Sequence, residues 1–159
     1  MARQFSLPQN LKVVQLLAPT TTNGGANSRR VNLANAHKAW IVVELKNAAG
    51  FAEVVTLQQA TAITGGSTAA GPASTQNWKN EDTATLDALT KNANGNSVTT
   101  DTNVKSKQII FEVLPEDLTA GYQYIYANLS DSSQATNFAS VTAYLLERYA
   151  QAIPPSAAA

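Results

Sequence analysis

The chain has 159 residues, with eleven basic side chains balancing eleven acidic ones and charged residues making up only 14% of it. A chain of this length supports one core, burying roughly 68–70% of its unfolded surface, and its charge balance excludes the electrostatic footprint expected for nucleic acid or an anionic membrane. It contains no cysteine, so it relies on no disulfide and offers no thiol for metal binding or nucleophilic attack.

Residues 1–10 carry Phe5, Leu7 and Pro8 in no regular pattern and read as an N-terminal arm ahead of the fold. No basic stretch leads into an apolar run over Met1 to Leu17, and no segment approaches the roughly 20 apolar residues of a membrane span, so a soluble product without an export signal is expected. Lys12 to Leu17 is a β-rich run that Pro19 is expected to break, and Thr20 to Gly25 supplies the residues of a turn. Arg30 to Leu33 alternates again. Ala39 to Leu45 is the best central strand of the first half, with Ile41, Val43 and Leu45 on one face. After a turn at Asn47 to Gly50, Phe51 to Ala60 forms another strand in which Val55 and Leu57 face away from Val54 and Thr56.

Thr64 to Asn80 is dominated by Gly, Ser, Thr and Ala and reads as a long loop in which Trp78 is the one large anchor. Glu81 to Lys91 is open to two readings, a helical turn capped by Asp82 with Leu86 and Leu89 three apart, or a strand. Asn94-Gly95 signals a hairpin, with Ser97 to Thr100 leaving it. Lys107 to Leu114 alternates Ile109, Phe111 and Val113 against Ile110, Glu112 and Leu114, and Pro115 ends it. Tyr122 to Leu129 places Tyr122, Tyr124 and Tyr126 on one side and Ile125 and Leu129 on the other. The last strand, Ser140 to Tyr149, sets Val141, Ala143 and Leu145 against Thr142, Tyr144 and Leu146. Residues 150–159, with Ile153-Pro154-Pro155, form an extended C-terminal tail that cannot join a sheet, because proline donates no ladder hydrogen bond. Seven or eight strands at this spacing predict an all-β fold, an antiparallel β-sandwich of jelly-roll-like connectivity over residues 11–149.

Residues suited to chemistry are few. His37 is the only histidine, which excludes a two-histidine metal site. Glu81-Asp82 and Glu116-Asp117 pair acids that could ligate calcium, but neither has the Asp-x-Asp-x-Asp-Gly arrangement of a dedicated loop, and both read as solvated turns. Arg29-Arg30 follows a Gly-rich stretch without a phosphate-binding motif and is expected to form salt bridges at a strand entry. Serines occur without Gly-x-Ser-x-Gly or an activating base, so no catalytic residues, cofactor or metal are assigned and the chain is not read as an enzyme. Asn128-Leu129-Ser130 matches a glycosylation sequon, a chance match in a chain without an export signal. The tyrosine row either packs across strands or serves a protein interface.

Leu17-Ala18-Pro19, Gly24-Gly25, Val31-Asn32-Leu33, Asn35-Ala36-His37-Lys38-Ala39-Trp40 and the closing Arg148-Tyr149-Ala150-Gln151-Ala152 with Pro154-Pro155 resemble small virion proteins of tailed bacteriophages, the head decoration or cement proteins. The resemblance spans about Leu11 to Pro155 and is weakest over Thr64 to Lys91. It implies a jelly-roll protein made in the host cytoplasm and present in many copies on the outer capsid surface. Such a protein associates with itself as a homodimer or homotrimer and clamps neighbouring major capsid protein subunits. Contacts between chains are then expected from Phe5, Leu7 and Pro8, from Ile153, Pro154 and Pro155, and from the tyrosine row. A carbohydrate- or receptor-binding module using Trp78 and the tyrosines is the alternative.

Overall fold

A strand with an apolar side chain at every second position buries that face only when a second layer covers it. The computed structural model describes residues 7–148, and in it two antiparallel sheets meet this requirement. A four-residue helix, α1 (Leu7–Asn10), precedes twelve strands: β1 (Lys12–Thr21), β2 (Ala26–Asn27), β3 (Val31–Asn32), β4 (Ala36–Lys46), β5 (Val54–Ala60), β6 (Thr68–Ala70), β7 (Gln76–Asn80), β8 (Thr90–Lys91), β9 (Ser97–Thr99), β10 (Ser106–Val113), β11 (Tyr124–Leu129) and β12 (Phe138–Glu147). The long sheet runs β1-β12-β4-β10-β7-β8. The short sheet runs β2-β11-β5-β6, with β3 also on β11 and β9 on β5.

The core lies between them. Register places Ile41 beside Phe111, Val43 beside Ile109, and Val43 beside Val141 on the inner face of the long sheet. Val55, Leu57, Ile125 and Leu129 face them from the short sheet, and all are buried, as the alternation of these strands predicts. The turn at Thr22 to Gly25 has the expected chemistry, with Gly24 at φ +86° and Gly25 at φ +74°, where a side chain would be strained.

Three local expectations are corrected, and one open reading is resolved. Pro19 does not break β1, which continues to Thr21: the strand lies at the sheet edge, and the register shift between Leu17 and Thr20 spans the proline, so its missing N–H disrupts no continuous ladder. The stretch expected as a long loop contains β6 and β7. Its alternation is hidden because the inward position beside Phe111 is Asn77, whose amide donates to the carbonyls of Ala93 at 3.2 Å and Gly95 at 3.0 Å. Asn94-Gly95 does not close a hairpin between its flanking strands. β8 pairs with β7 in the long sheet and β9 with β5 in the short one, so the chain crosses between sheets here. Asp82 does cap a turn, accepting the Ala84 N–H at 3.3 Å and the Thr85 hydroxyl at 2.6 Å, but the turn stops at Leu86, whose carbonyl is taken by the Asn80 amide at 2.7 Å. The segment then ends in the two-residue β8.

In the proposed arm, Leu7 and Pro8 fall within α1, so the arm is not wholly irregular. Phe5, Tyr149 and the tail at 150–159 lie outside the described residues.

Phe111 is fully buried where both sheets converge. Phe111→Ala is expected to cost about 3–5 kcal/mol through lost burial and the cavity left behind. Urea unfolding should show a lower midpoint with an unchanged slope.

Candidate interaction faces

Because inward positions fill the core, the opposite phase of each strand is left to the two outer faces. On the long sheet, register lines up Val13, Tyr144, Trp40, Glu112 and Gln76 in one row. The next row holds Gln15, Thr142, Val42, Ile110, Trp78 and Lys91. The middle of this face is therefore an aromatic and aliphatic band. Glu112 organises one part of it, accepting the Trp40 indole N–H at 2.9 Å and the Lys38 ammonium at 3.0 Å. Lys38 also lies 5.7 Å from the Trp40 ring centroid, and Lys91 stands 5.6 Å from that of Trp78 while donating to Gln76 at 2.9 Å. Toward one end of the face, Pro19, Glu44, Lys46, Ser106, Phe138 and Ser140 line an open recess of about 410 Å³ in which Phe138 is 43% exposed.

The short sheet's outer face is more polar. Tyr124 and Tyr126 project from β11 as expected, alongside Asn32 and Gln58. The Asn128 amide donates to Asn27 at 2.8 Å, which places the sequon asparagine on this face. Tyr122 departs from the row: it precedes β11 in a turn closed by its N–H to the Thr119 carbonyl at 2.9 Å, and it lines a separate recess with Leu33, Leu118 and Arg148. Trp78 lies on the opposite sheet from Tyr124 and Tyr126, so these residues do not form one platform.

The remaining singled-out residues have structural partners or solvent around them. Among the described residues Arg30 has no salt-bridge partner, contrary to expectation. Its guanidinium lies 5.3 Å from the Tyr126 ring centroid and donates to the Ala62 carbonyl at 2.7 Å and to that of Gly65, tying the connection after β5 across the tyrosine. His37 is exposed within the start of β4. Asp82 pairs with Lys105 at 2.6 Å, and Glu81 with Lys79 at 2.6 Å. The Lys105 ammonium and the Thr85 hydroxyl hold the Asp82 carboxyl at about 2, below the usual range. Asp117 accepts the Ser74 hydroxyl at 2.8 Å. Among the described residues, no three His, Asp or Glu side chains converge as a metal site, and no helix is long and apolar enough to cross a membrane.

Two charged residues are missed by pattern reading because they occupy inward positions. The fully buried Lys107 ammonium donates to the Asp101 carbonyl at 2.6 Å and pairs with its carboxylate at 2.7 Å. Glu53 is also fully buried. Its Oε1 accepts the Ser130 hydroxyl at 3.1 Å, while Oε2 has no hydrogen-bond partner. Burial pushes the Glu53 carboxyl up to about 7; Asp131 adds to the rise, and the hydrogen bond from Ser130 and the charge of Lys107 oppose it. The outer band of the long sheet did leave a signal: Trp40, Val42, Ile110 and Tyr144 put apolar side chains on the phase opposite the core.

No family model matches the chain, and no curated protein sequence matches it. A solved structure that it resembles is that of the SPBc2 prophage-derived protein YomS, with 10% sequence identity, a TM-score of 0.47, and coverage of 85% of this chain and 91% of that chain.

The raised pKa of Glu53 makes stability depend on pH. Below its ordinary value of 4.5 the carboxyl is protonated in both folded and unfolded chains; between 4.5 and about 7 only the unfolded chain ionises, so stability falls as pH rises. Relative to Glu53→Gln, the unaltered protein is expected to lose on the order of 3 kcal/mol across that window. Urea titrations of both proteins at a series of pH values measure this difference, and parallel stability curves would contradict it.

Proposed function

We propose that this chain is a structural virion protein of a tailed phage, a decoration or cement protein on the outer capsid surface that holds neighbouring major capsid protein subunits together. The observation that carries this reading is the pair of outward faces, each furnished with aromatic side chains and set on opposite sides of one sandwich. A clamp needs two contact surfaces at a fixed separation, and aromatic residues set in polar surroundings are the side chains that dominate binding at protein interfaces. The strand orders β1-β12-β4-β10 and β2-β11-β5-β6 support jelly-roll connectivity, with the longer strands β4, β5, β10, β11 and β12 alternating between sheets. The sequence resemblance to cement proteins supports the same role.

In this reading the short sheet meets the shell through Tyr124 and Tyr126 and the amides beside them. Phe5, Leu7 and Pro8 at one end of the chain, with Ile153, Pro154 and Pro155 at the other, extend the contact. Many such sites on a symmetric shell turn modest contacts into firm attachment. The sugar-binding alternative draws on the same amide-flanked tyrosines, although Arg30 already covers one face of Tyr126.

Purified protein added to heads assembled without it tests the role: it should co-sediment with them to a saturable stoichiometry and raise the temperature at which they break. Failure to bind would overturn the reading, and glycan-dependent binding to host cells would favour the alternative. Tyr124→Ser with Tyr126→Ser is expected to weaken head binding by about tenfold or more while leaving the circular dichroism spectrum unchanged.

A further inference from the structure

We propose that the recess beside Arg148 is a docking site for this chain's own segment Ile153-Pro154-Pro155, which turns back after the last strand and closes that end of the sandwich. The docking concerns the free protein and stands independently of what either sheet meets.

The recess is built before anything enters it. It lies where β4 starts and β10 and β12 finish, has a volume of about 200 Å³, and takes its apolar atoms from Leu33, Pro115, Leu118 and Tyr122. The Leu33 N–H donates to the Gln123 carbonyl at 2.8 Å, and the Gln123 N–H to the Ala60 carbonyl at 3.2 Å. Gln59, only 3% exposed, clamps the turn that carries Tyr122: its side-chain carbonyl accepts the Thr119 N–H at 2.9 Å and its amide donates to the Thr119 hydroxyl at 2.8 Å. Across the recess, the Arg148 N–H donates to the Asn35 carbonyl at 2.8 Å and its Nε to the Ala36 carbonyl at 3.0 Å. Walls fixed in this way lose little freedom when the site fills.

Its chemistry fits a proline-bearing segment. Arg148 and Tyr122 bring donors that nothing else uses: among the described residues, the Arg148 side chain bonds only through Nε, and the Tyr122 hydroxyl makes no hydrogen bond. An Ile-Pro-Pro segment offers carbonyl acceptors and, at its prolines, no N–H to leave unpaired. Proline's fixed φ, and the restriction it places on the residue before it, leave such a segment little freedom to lose on docking against an aromatic ring. Residues 149–159 contain no charged side chain, so docking takes no charge of the tail out of water.

The chain is already at the rim. Arg148 lines the recess, so only residues 149–152 separate its wall from Ile153. Four residues span roughly 13 Å when extended and are an ordinary connection length, enough to turn back into a recess whose wall they leave. A linker this short gives an effective concentration on the order of millimolar, so a weak intrinsic contact suffices to hold the segment. Docked there, Ile153-Pro154-Pro155 is kept from other chains until a competing surface draws it off; that consequence, unlike the docking, rests on the role proposed above.

The absence of cysteine makes the test direct. The full chain carrying Ala34→Cys, at an exposed position lining the recess, and Ser156→Cys, beside the prolines, should form a disulfide within one chain on mild oxidation, read as a faster-migrating monomer on a non-reducing gel. Adding Ile153→Ser should slow the cross-linking by about tenfold. In the chain without cysteines, Ile153→Ser should shift the amide NMR resonances of Leu33, Leu118 and Gln123 while leaving those of Gly24 and Gly25, beyond the far end of β1, in place. A cross-link only between chains, a rate indifferent to Ile153→Ser, or recess resonances that respond to Phe5→Ser and not to Ile153→Ser would overturn the proposal, the last by assigning the recess to the N-terminal arm. None of these readouts involves heads, so they separate this docking from the capsid role.

Discussion

Two sheets share one apolar core, and every strand that contributes to it must commit alternate side chains to the inside. Ile41, Val43 and Leu45 in β4, Ile109, Phe111 and Val113 in β10, and Val141, Ala143 and Leu145 in β12 satisfy this on one side, with Val55, Leu57, Ile125 and Leu129 answering from the other. Full burial of such a side chain contributes roughly 1.5–3 kcal/mol. The consequence for function lies on the opposite phase. Trp40, Val42, Ile110, Trp78 and Tyr144 are outside that core, so the folded monomer holds an aromatic band on a rigid support.

One end of the sandwich follows different chemistry. There the inward positions before β5 and near the start of β10 are Glu53 and Lys107. Lys107 is matched by Asp101, where desolvation raises the carboxyl pKa but the Lys107 and Asn103 donors outweigh it and leave that pKa below the usual value. Glu53 is less well matched, with one oxygen bonded to Ser130 and the other unpaired. Around it the loops are fastened by polar bonds: the Thr22 hydroxyl donates to Ser132 at 2.8 Å, and Asn137 exchanges hydrogen bonds with the backbone of Ala49. This end therefore combines a buried group that titrates near neutrality with polar closure, whereas the sandwich centre is held by apolar packing.

The strands with clean alternation were legible in sequence. β4, β5, β10, β11 and β12 appear with their inward faces as expected, because burial on one side imposes a period of two. Legibility failed where backbone pairing, rather than side-chain pattern, fixed the structure. β7 places Asn77 inward and β6 is a short edge strand of small residues, so neither carries an apolar alternation. Pro19 misled because its effect depends on edge position, which only tertiary pairing reveals. Tyr124 and Tyr126 share the outward face that their spacing predicts, but Tyr122 lies outside their strand and Trp78 belongs to the other sheet. Which sheet a strand joins is a long-range property that local composition does not carry.

In the role we propose, this sandwich bridges subunits of a capsid from its outer surface. Cryo-electron microscopy of heads with and without the protein tests it most directly. Bridging predicts ordered density for a two-sheet domain spanning adjacent major capsid subunits, with the tyrosine-bearing sheet toward the shell. Well-resolved heads known to contain the protein, yet with no such density on their outer surface, would contradict it.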